Sequence, residues 1–571
     1  MENFYYNLIG GLNTELTPIA LGAKGSKVYW ARGFNVEPYK NQGVIRQKGN
    51  QLIFSAPGKI KLKQETGQNT ATEHDFDAAN STESAESDLS RVKIAGVVEY
   101  PKGGKNFVIA ASDGRIFYFD ALTEALNQVF DFGVEISKFV FEYFLDGIVI
   151  LPVKYSGGAL DGVYFNLNNS PRTQALNFKN ADGNVIRGTY VCQYAGRLWI
   201  SSGSTLYYSA LGTHNDWQTS HDAGYISNFH SSTAEIVTMK EYSGALAVYK
   251  RYEVFLLTGN DPESFAIVKF ADKGACGAGC VLTCNNKQYF FNEHGLFALS
   301  YAGELSQIVM GSNRAKNVLK LLESLDKPRI EDALILAYEA KNQIWIFPPI
   351  KGEAGQKEVW IYDFELECWF LRVIPYQIDS AATVFGEIYT VSNEAPQDGA
   401  NSAQSGVLGK IFVENYGNTF SGKPIKFGFS TPFFNFSAPT SQKIIEDFEI
   451  ICDGAVENDF DFSVSTDYVA GQAFSREHVQ TSTPGVLVWE GAAPLNPDGG
   501  ADAAEYTATT WAGPDDLTFA QGGIWKDVLQ EGIKLDIFEA NKAVQLHFEG
   551  DKTGQDLAII GFEFKNILCE E

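Results

Sequence analysis

Short apolar runs separated by small turn residues recur along most of the chain. Seven units consist of an apolar strand, a turn and a second apolar strand, with the turns near Gly104, Gly147, Gly196, Gly244, Asn286, Asn342 and Gly386. Such a turn between two apolar runs predicts an antiparallel hairpin. Successive turns are 42–56 residues apart, close to the length of one four-stranded β-propeller blade. The pattern therefore predicts an all-β chain with about seven blades over residues 93–415.

A β-sandwich array with fortuitously regular turns is the alternative architecture. An open sheet of this length would leave exposed edge strands, which a closed ring removes. We therefore favour the propeller.

The residues before the first blade divide into an arm and an insertion. In the N-terminal arm, residues 1–55, the segment GVIRQKGNQLIF (43–54) predicts two strands around a Lys-Gly turn. We expect this arm to contribute strands that pair with the last blade and close the ring. Residues 56–92, especially 63–90, are polar and too poor in apolar side chains to offset their ordering entropy alone. They predict a loop that is either flexible or ordered against a neighbouring subunit.

A second domain is predicted over residues 421–571. Its segments, such as KIIEDFEIICDG and DFDFSVSTDYV, alternate apolar and polar residues without helical periodicity, which is typical of a β-sandwich or jelly-roll-like domain. A Gly/Pro/Asp-rich excursion at 483–530 carries Trp511 and Trp525, which either anchor a contact or pack on their own domain. The best helix candidate is the segment 312–328, where three leucines fall at helical spacing.

Composition supports this picture and limits the partners. Aromatic residues make up 13% of the 571 residues, and 45 basic against 70 acidic residues give a net charge of −25. Such a chain repels phosphate, which disfavours tight wrapping of nucleic acid but is compatible with a passage through which DNA slides. We expect no signal peptide and no membrane span, because no basic-then-apolar N-terminus and no apolar run of sufficient length is present. Seven cysteines do not suggest a disulfide framework.

The stretch LYYSALGTHNDW (206–217) is the first candidate for catalysis. It places His214 beside Asp216, with Ser209 upstream, but no GxSxG elbow surrounds the serine. Asn and Asp are also good turn formers. We therefore predict a structural corner: LYYS as the outer strand of the third blade, ALGTHNDW as the crossing to the fourth, Trp217 packed, and Asp216 accepting from backbone donors.

Other motifs give little support for chemistry. Cys276, Cys280 and Cys284 lack the second pair that a structural zinc site needs, so we interpret them as small core residues on one face of a strand. Phosphate-binding glycine loops, HExxH, and the blade motifs of sialidase-like and WD-repeat propellers are absent from the sequence. The 70 acidic residues leave open a pair of carboxylates such as a glycosidase uses. We predict a protein that is not an enzyme and has no catalytic, cofactor-binding or metal-binding residues. A propeller glycosidase, or a carbohydrate-binding protein recognising the host surface, is the alternative.

The order of several segments resembles the propeller-containing tail nozzle, or tail stabilisation (tail tube terminator), proteins of tailed bacteriophages. The N-terminal part is GGLNTELTPIAL followed by ARGFNVEPYKNQGVIRQKGN, which includes Asn35, Arg46 and Gly49. The middle is LYYSALGTHNDW, then GALAVYKRYEVFLLTGNDPESFAIVKF, NKQYFFNEHGLFALS and VWIYDFELECWFLR. STPFFNFSAPTSQKIIEDFEIICDG resembles the entry into the family's β-sandwich domain. The insertion at 63–90 has no counterpart in this pattern.

The resemblance implies a structural virion protein, made in the host bacterial cytoplasm, that forms a ring at the distal end of the tail tube. The ring is usually sixfold and surrounds the channel through which the genome is ejected. Partners would be other copies of the chain, the upstream tail adaptor or tube protein and tail fibres, with DNA only in transit. The positions expected to act as structural landmarks are Gly196, Ser209, Gly212, Asp216, Trp217, Gly244 and Gly295.

Overall fold

The fold is given by a computed structural model. It describes residues 2–55, 61–64, 73–75, 93–394, 409–480 and 531–569, with short gaps at 7, 9, 16–17, 22–27, 40–42, 102–104, 121–124, 181, 219–221, 228, 230–231, 303–306, 353–355, 454–455, 457 and 469–474. The chain forms two compact units, one of Met1–Gln47 with Pro424–Glu571 and one of Lys48–Lys423. Both units are built from strands, so the all-β prediction is confirmed.

The first 75 residues supply strands to both units. They are β1 (Glu2–Tyr6), the short helix α1 (Pro18–Leu21), β2 (Arg32–Phe34), β3 (Val36–Tyr39), β4 (Gly43–Arg46), β5 (Asn50–Ser55), β6 (Lys61–Gln64) and β7 (Glu73–Asp75). Strand β6 pairs with the outer strand of the first blade, and β7 pairs with β6. The rest of the insertion, 65–72 and 76–92, lies outside the described residues.

Seven antiparallel sheets follow as the blades of a propeller. Blade 1 is β8 (Ile94–Glu99), β9 (Phe107–Ala111), β10 (Arg115–Asp120) and β11 (Ala125–Asp131); blade 2 is β12 (Ile136–Phe144), β13 (Gly147–Tyr155), β14 (Val163–Phe165) and β15 (Thr173–Ala175); blade 3 is β16 (Tyr190–Tyr194), β17 (Arg197–Ser202), β18 (Thr205–Tyr208) and β19 (Gly224–Ile226); blade 4 is β20 (Ile236–Tyr242), β21 (Ala245–Lys250), β22 (Val254–Thr258) and β23 (Ala266–Ala271). Blade 5 is β24 (Val281–Cys284), β25 (Lys287–Asn292), β26 (Gly295–Ala302) and β27 (Gln307–Met310); blade 6 is β28 (Leu334–Tyr338), β29 (Gln343–Phe347), β30 (Gln356–Asp363) and β31 (Cys368–Ile378); blade 7 is β32 (Ser380–Val384), β33 (Glu387–Ser392) and β34 (Lys410–Glu414), completed by β5.

Six of the seven predicted turns join the first and second strands of a blade, and the one near Gly104 lies outside the described residues. In blades 3 and 4 the two-residue turns are Ala195-Gly196 and Ser243-Gly244, and both residues of each turn have positive φ. This is the turn whose twist matches an antiparallel hairpin, and glycine adopts its second position without steric cost. The local turn chemistry therefore explains why the blade spacing is visible in the sequence.

The contacts between innermost strands run through all seven blades in chain order and return from β32 to β8. At this last junction the side chain of Asn393 donates to the carbonyl of Ile94 (3.0 Å) and accepts from its N–H (2.8 Å). Apolar residues of blades 7 and 1 share one buried cluster, which includes Val384 and Val97. Blade 7 is completed by an N-terminal strand, because β5 pairs with β34.

The expected hairpin over 43–54 is wrong in one respect. Strand β5 joins the propeller as expected, but β4 pairs with strands of the other unit. Three residues, 47–49, separate the two strands, and the boundary between the two units falls between Gln47 and Lys48. The N-terminal arm over 1–55 is thus divided between two folds.

A buried ionic cluster anchors β5 to the propeller. The Glu414 side chain is fully buried and pairs with the buried guanidinium of Arg372, with Nη2 2.6 Å from Oε2. The same carboxylate accepts hydrogen bonds from the hydroxyls of Thr390 (2.7 Å) and Tyr376 (3.0 Å) and from the amide of Asn50 (3.0 Å). Because Asn50 begins β5, the cluster joins the closing strand to blades 6 and 7.

The other unit is a β-sandwich built from both ends of the chain. Its remaining strands are β35 (Phe427–Ser430), β36 (Lys443–Cys452), β37 (Asp459–Thr466), β38 (Ser475–Gln480), β39 (Glu531–Asn541), β40 (Val544–Gly550) and β41 (Ala558–Cys569). One sheet has the order β3-β4-β41-β36-β39, with β1 also on β41, and the other has the order β2-β35-β40-β37-β38. Phenylalanines from the two sheets meet in the core, where the ring centroids are 5.3 Å apart for Phe548 and Phe562 and 5.8 Å apart for Phe448 and Phe462. Trp511 and Trp525 lie outside the described residues.

The predicted helix over 312–328 is mostly wrong. Only α2 (Leu319–Glu323) is helical, and a 3₁₀ turn over Lys327–Asp332 follows. The backbone of Arg314 instead donates to Leu296 of blade 5 and accepts from the indole of Trp369 in blade 6. These tertiary hydrogen bonds therefore engage the backbone N–H and C=O groups of Arg314, which a longer helix would use for its own hydrogen bonds.

Candidate functional site

The 206–217 segment lies in blade 3, and its position differs from the expectation. The first three residues of LYYS lie in the third strand, β18, whereas β19 is the outermost strand. The loop after β18 therefore connects two strands of one blade and does not cross to the fourth. Gly212 donates to the carbonyl of Gly196 (2.9 Å) within this blade, and Gly295 begins the third strand of blade 5.

Ser209 is a structural residue. Its hydroxyl is buried, donates to the carbonyl of Thr213 (2.8 Å) and accepts from the N–H of Leu198 (3.0 Å). Asp216 accepts from the N–H of Gln218 (3.2 Å), as expected of a turn residue. The serine is thus engaged with backbone groups on both sides.

His214 and Trp217 both pack against blade 2. The imidazole of His214 stacks on Tyr164 with ring centroids 4.3 Å apart, and burial lowers its pKa. The indole of Trp217 is buried, contacts Phe178 and donates to the carbonyl of Leu176 (2.8 Å). No described hydrogen bond joins His214 to Ser209. The geometry is that of a packed corner.

An ion pair that the sequence analysis missed stabilises this loop. Arg197 is buried, and its guanidinium contacts Asp222 (2.6 Å) and the carbonyl of Ser209 (3.0 Å). Asp222 also accepts from the N–H of Leu211 (3.1 Å), and the guanidinium holds the pKa of this carboxyl below its usual range. An arginine directly after a turn glycine is too common a pattern to reveal such a role.

The three cysteines do not share a strand face. Cys276 and Cys280 lie in the loop that enters β24, and only Cys284 lies on that strand. Their thiols are buried, with 3.1 Å between the sulfurs of Cys276 and Cys280, and Cys280 donates to the carbonyl of Ala333. Among the described residues no group of His, Cys, Asp and Glu has the arrangement of a metal site.

The propeller unit contains a central cavity of about 690 Å³. The innermost strands of all seven blades line it, and each of these strands pairs with only one neighbour in its own sheet. Backbone N–H and C=O groups on the unpaired edges are therefore available to the cavity. Its size falls within the range of small-molecule sites.

Four cationic side chains line this cavity: Lys138, Lys154, Lys240 and Arg329. Two of them, Lys138 and Lys154 of blade 2, contact Glu331 of the 3₁₀ turn that precedes blade 6. Blades 2 and 6 are not neighbours in the ring, so this turn lies across one mouth of the cavity.

Lys240 lies on the innermost strand of blade 4. Its side chain is 38% exposed, and Glu142 is its described ionic partner at 3.9 Å. The Glu142 carboxylate holds the pKa of Lys240 above its usual value, while burial raises the pKa of Glu142 itself. The ammonium is therefore charged at neutral pH.

Comparison with known proteins finds no matching family model and no matching curated protein. None of the helices in the described parts of the chain is long and apolar enough to cross a membrane.

Proposed function

We propose that the protein is a structural component of a bacteriophage tail, assembled as a ring of identical copies at the distal end of the tail tube, through which the genome is ejected. The observation that carries the proposal is the architecture. The chain combines a seven-bladed propeller with a β-sandwich, the two kinds of domain that the family resemblance implies, although the sandwich also includes the N-terminal strands.

The outer strands of the propeller support assembly into a ring. Tyr225 on β19 and Val268 on β23 are 66% and 60% exposed, and Met310 on β27 and Leu52 on β5 are also exposed. These large apolar side chains lie one each on blades 3, 4, 5 and 7, where they are exposed for contacts with another protein. We define these outer strands as the rim of the propeller and propose that copies meet there.

The net charge fits a conduit for DNA. A net charge of −25 provides few of the cation–phosphate contacts that would slow a translocating genome. The ring would contact the upstream adaptor or tube protein and tail fibres, with DNA only in transit. We propose no catalytic role.

The rim can be tested by light scattering after size-exclusion chromatography. The wild type should give one discrete oligomer, whereas a Tyr225→Ser/Val268→Asp variant should shift towards the monomer. Tyr252→Ser is the matched control, since Tyr252 is 62% exposed but lies in the turn between β21 and β22, away from the rim. A monomeric wild type, or equal loss in the control, would contradict assembly through the rim.

The competing function is hydrolysis or binding of a host carbohydrate. A glycosidase would need two carboxylates about 5–10 Å apart in an accessible pocket. Asp332 and Asp379 line the central cavity, and both already have polar partners, Lys154 and Gln377 respectively. Release of sugar from host polysaccharide by the wild type, lost in Asp332→Asn or Asp379→Asn, would favour this function over the structural one.

A further inference from the structure

Lys154 and Lys240 of the central cavity lie farther from their carboxylate partners than Lys269 on an outer strand does. Lys154 lies 3.6 Å from Glu331 and 3.7 Å from Asp332, and Lys240 lies 3.9 Å from Glu142. Outside the cavity, Lys269 lies 2.7 Å from Glu253 and 2.6 Å from Asp272. An ammonium group has three donors, and N–H···O hydrogen bonds require about 2.7–3.2 Å. The carboxylates beside Lys154 and Lys240 are thus too distant to form normal hydrogen bonds with them.

The side chains that line the cavity have a positive net charge, whereas the whole chain has a negative one. Four cations line it, against the carboxylates of Asp332, Asp379 and Glu339, whereas acidic residues outnumber basic ones by 25 in the whole sequence. Two of the three carboxylates are engaged locally: Asp379 accepts from Gln377 (2.7 Å) and from the N–H of Asn393 (2.7 Å), and Asp332 lies 3.7 Å from Lys154 and 3.8 Å from Arg329. The lining therefore carries one more cation than carboxylate, and the carboxylates of Glu142 and Glu331 lie beside two of its lysines without belonging to the lining.

Neutral donors complement the lysines. The Thr283 hydroxyl accepts from the amide of Gln288 (3.2 Å), which leaves its own proton available for donation. The unpaired edges of the innermost strands add backbone N–H groups. Ammonium groups together with neutral donors are the surroundings in which proteins bind carboxylate and phosphate oxygens.

We propose that the central cavity is a binding site for a small molecule bearing carboxylate or phosphate groups. Lys240 would bind one anionic group inside the cavity, and Lys138, Lys154 and Arg329 would bind at the mouth beside the 3₁₀ turn. The cavity volume of about 690 Å³ accommodates a metabolite-sized ligand but not a folded polymer. This site does not depend on the proposed tail function.

The test is isothermal titration calorimetry on the purified full-length protein with citrate and, separately, inorganic phosphate. Both are titrated at pH 7.5 and at ionic strength held constant with sodium chloride, so that screening alone produces no signal. We expect saturable binding of at least one of the two. Citrate binding alone identifies a carboxylate site, and phosphate binding identifies a site for phosphorylated ligands.

Lys240→Gln should weaken binding roughly tenfold or more, because a charge-assisted hydrogen bond is lost. Lys240→Arg, which keeps the positive charge, should retain most of the binding affinity. Lys269→Gln is the matched control, since the Lys269 side chain is 39% exposed on an outer strand against 38% for Lys240. Arg329→Gln at the mouth provides an independent variant if Lys240→Gln fails to fold.

Two results would overturn the proposal. One is no binding of citrate or phosphate up to about 10 mM, well above the range of a specific site. The other is binding that Lys240→Gln and Arg329→Gln leave unchanged.

Discussion

Two aromatic side chains three residues apart, His214 and Trp217, make different contributions to blade 3. Both contact blade 2, but only the indole combines a buried ring with a hydrogen bond to a buried carbonyl. The histidine that suggests catalysis in the sequence is thus the less important of the two for the fold.

Trp217→Ala should lower the free energy of unfolding of the propeller by about 3 kcal/mol, because it leaves a cavity and an unpaired carbonyl at Leu176. His214→Ala should cost about 1 kcal/mol or less, the value of one aromatic pair. Urea unfolding of the two variants measures both. Equal destabilisation would contradict the assignment of Trp217 as the anchor.

His547 provides a pH-dependent contribution to the stability of the sandwich. Its two ring nitrogens lie 2.8 Å from the hydroxyls of Ser430 and Ser465, and burial lowers its pKa below the ordinary 6.5. The imidazole of His547 therefore binds a proton more readily in the unfolded chain than in the folded one. The contribution is fully present above the unfolded pKa and declines as the pH falls below it towards the lowered folded value.

The difference in unfolding free energy between wild type and His547→Gln should accordingly shrink between about pH 7.5 and pH 5.5. Denaturant titrations of wild type and His547→Gln at each pH measure this difference. The carboxylates contribute equally in the two proteins, so the difference reports on His547 alone. A difference that grows on acidification would contradict the sign of the shift.

At the scale of elements, the local signals were predictable and the long-range pairings were not. Turns such as Ala195-Gly196 are specified by two adjacent residues, so the blades could be located from the sequence. The partner of β4 depends on β41, more than 500 residues away, and no local pattern distinguishes it from the partner of β5. The sequence also does not reveal that Lys240 lines the cavity. Alternation of apolar and polar residues shows that a strand has two faces, but it does not show which face meets the cavity.

Closure of blade 7 depends on the buried carboxylate of Glu414. Glu414→Gln should destabilise the propeller by about 3 kcal/mol, since it leaves the Arg372 charge unpaired in the interior. Glu367→Gln is the control, because Glu367 is 69% exposed in its pair with Arg314 and should cost no more than about 1 kcal/mol. Thermal unfolding followed by circular dichroism compares them.

If Glu414→Gln melts like Glu367→Gln, the cluster does not hold the closing strand. We also predict that deletion of residues 1–55 lowers the unfolding temperature of the propeller. That truncation also removes β1–β4 from the sandwich, so the point substitution is the cleaner measurement.

At the scale of the whole molecule, a net charge of −25 opposes assembly of identical copies. Salt screens this repulsion, with a Debye length that falls from about 30 Å at 0.01 M to about 8 Å at 0.15 M. The oligomeric fraction should therefore increase over this range of sodium chloride in sedimentation velocity experiments. A decrease would indicate that ion pairs between copies, rather than apolar rim contacts, hold the ring.

The central claim is that this chain forms the ring at the distal end of a phage tail. If a phage encodes the chain, as we propose, cryo-electron microscopy of its virions tests this claim most directly. We expect a closed ring of copies, each fitted by the seven-bladed propeller and the sandwich, around an open axial channel at the tail tip. Virions that lack the protein, together with a strictly monomeric purified chain, would contradict the account.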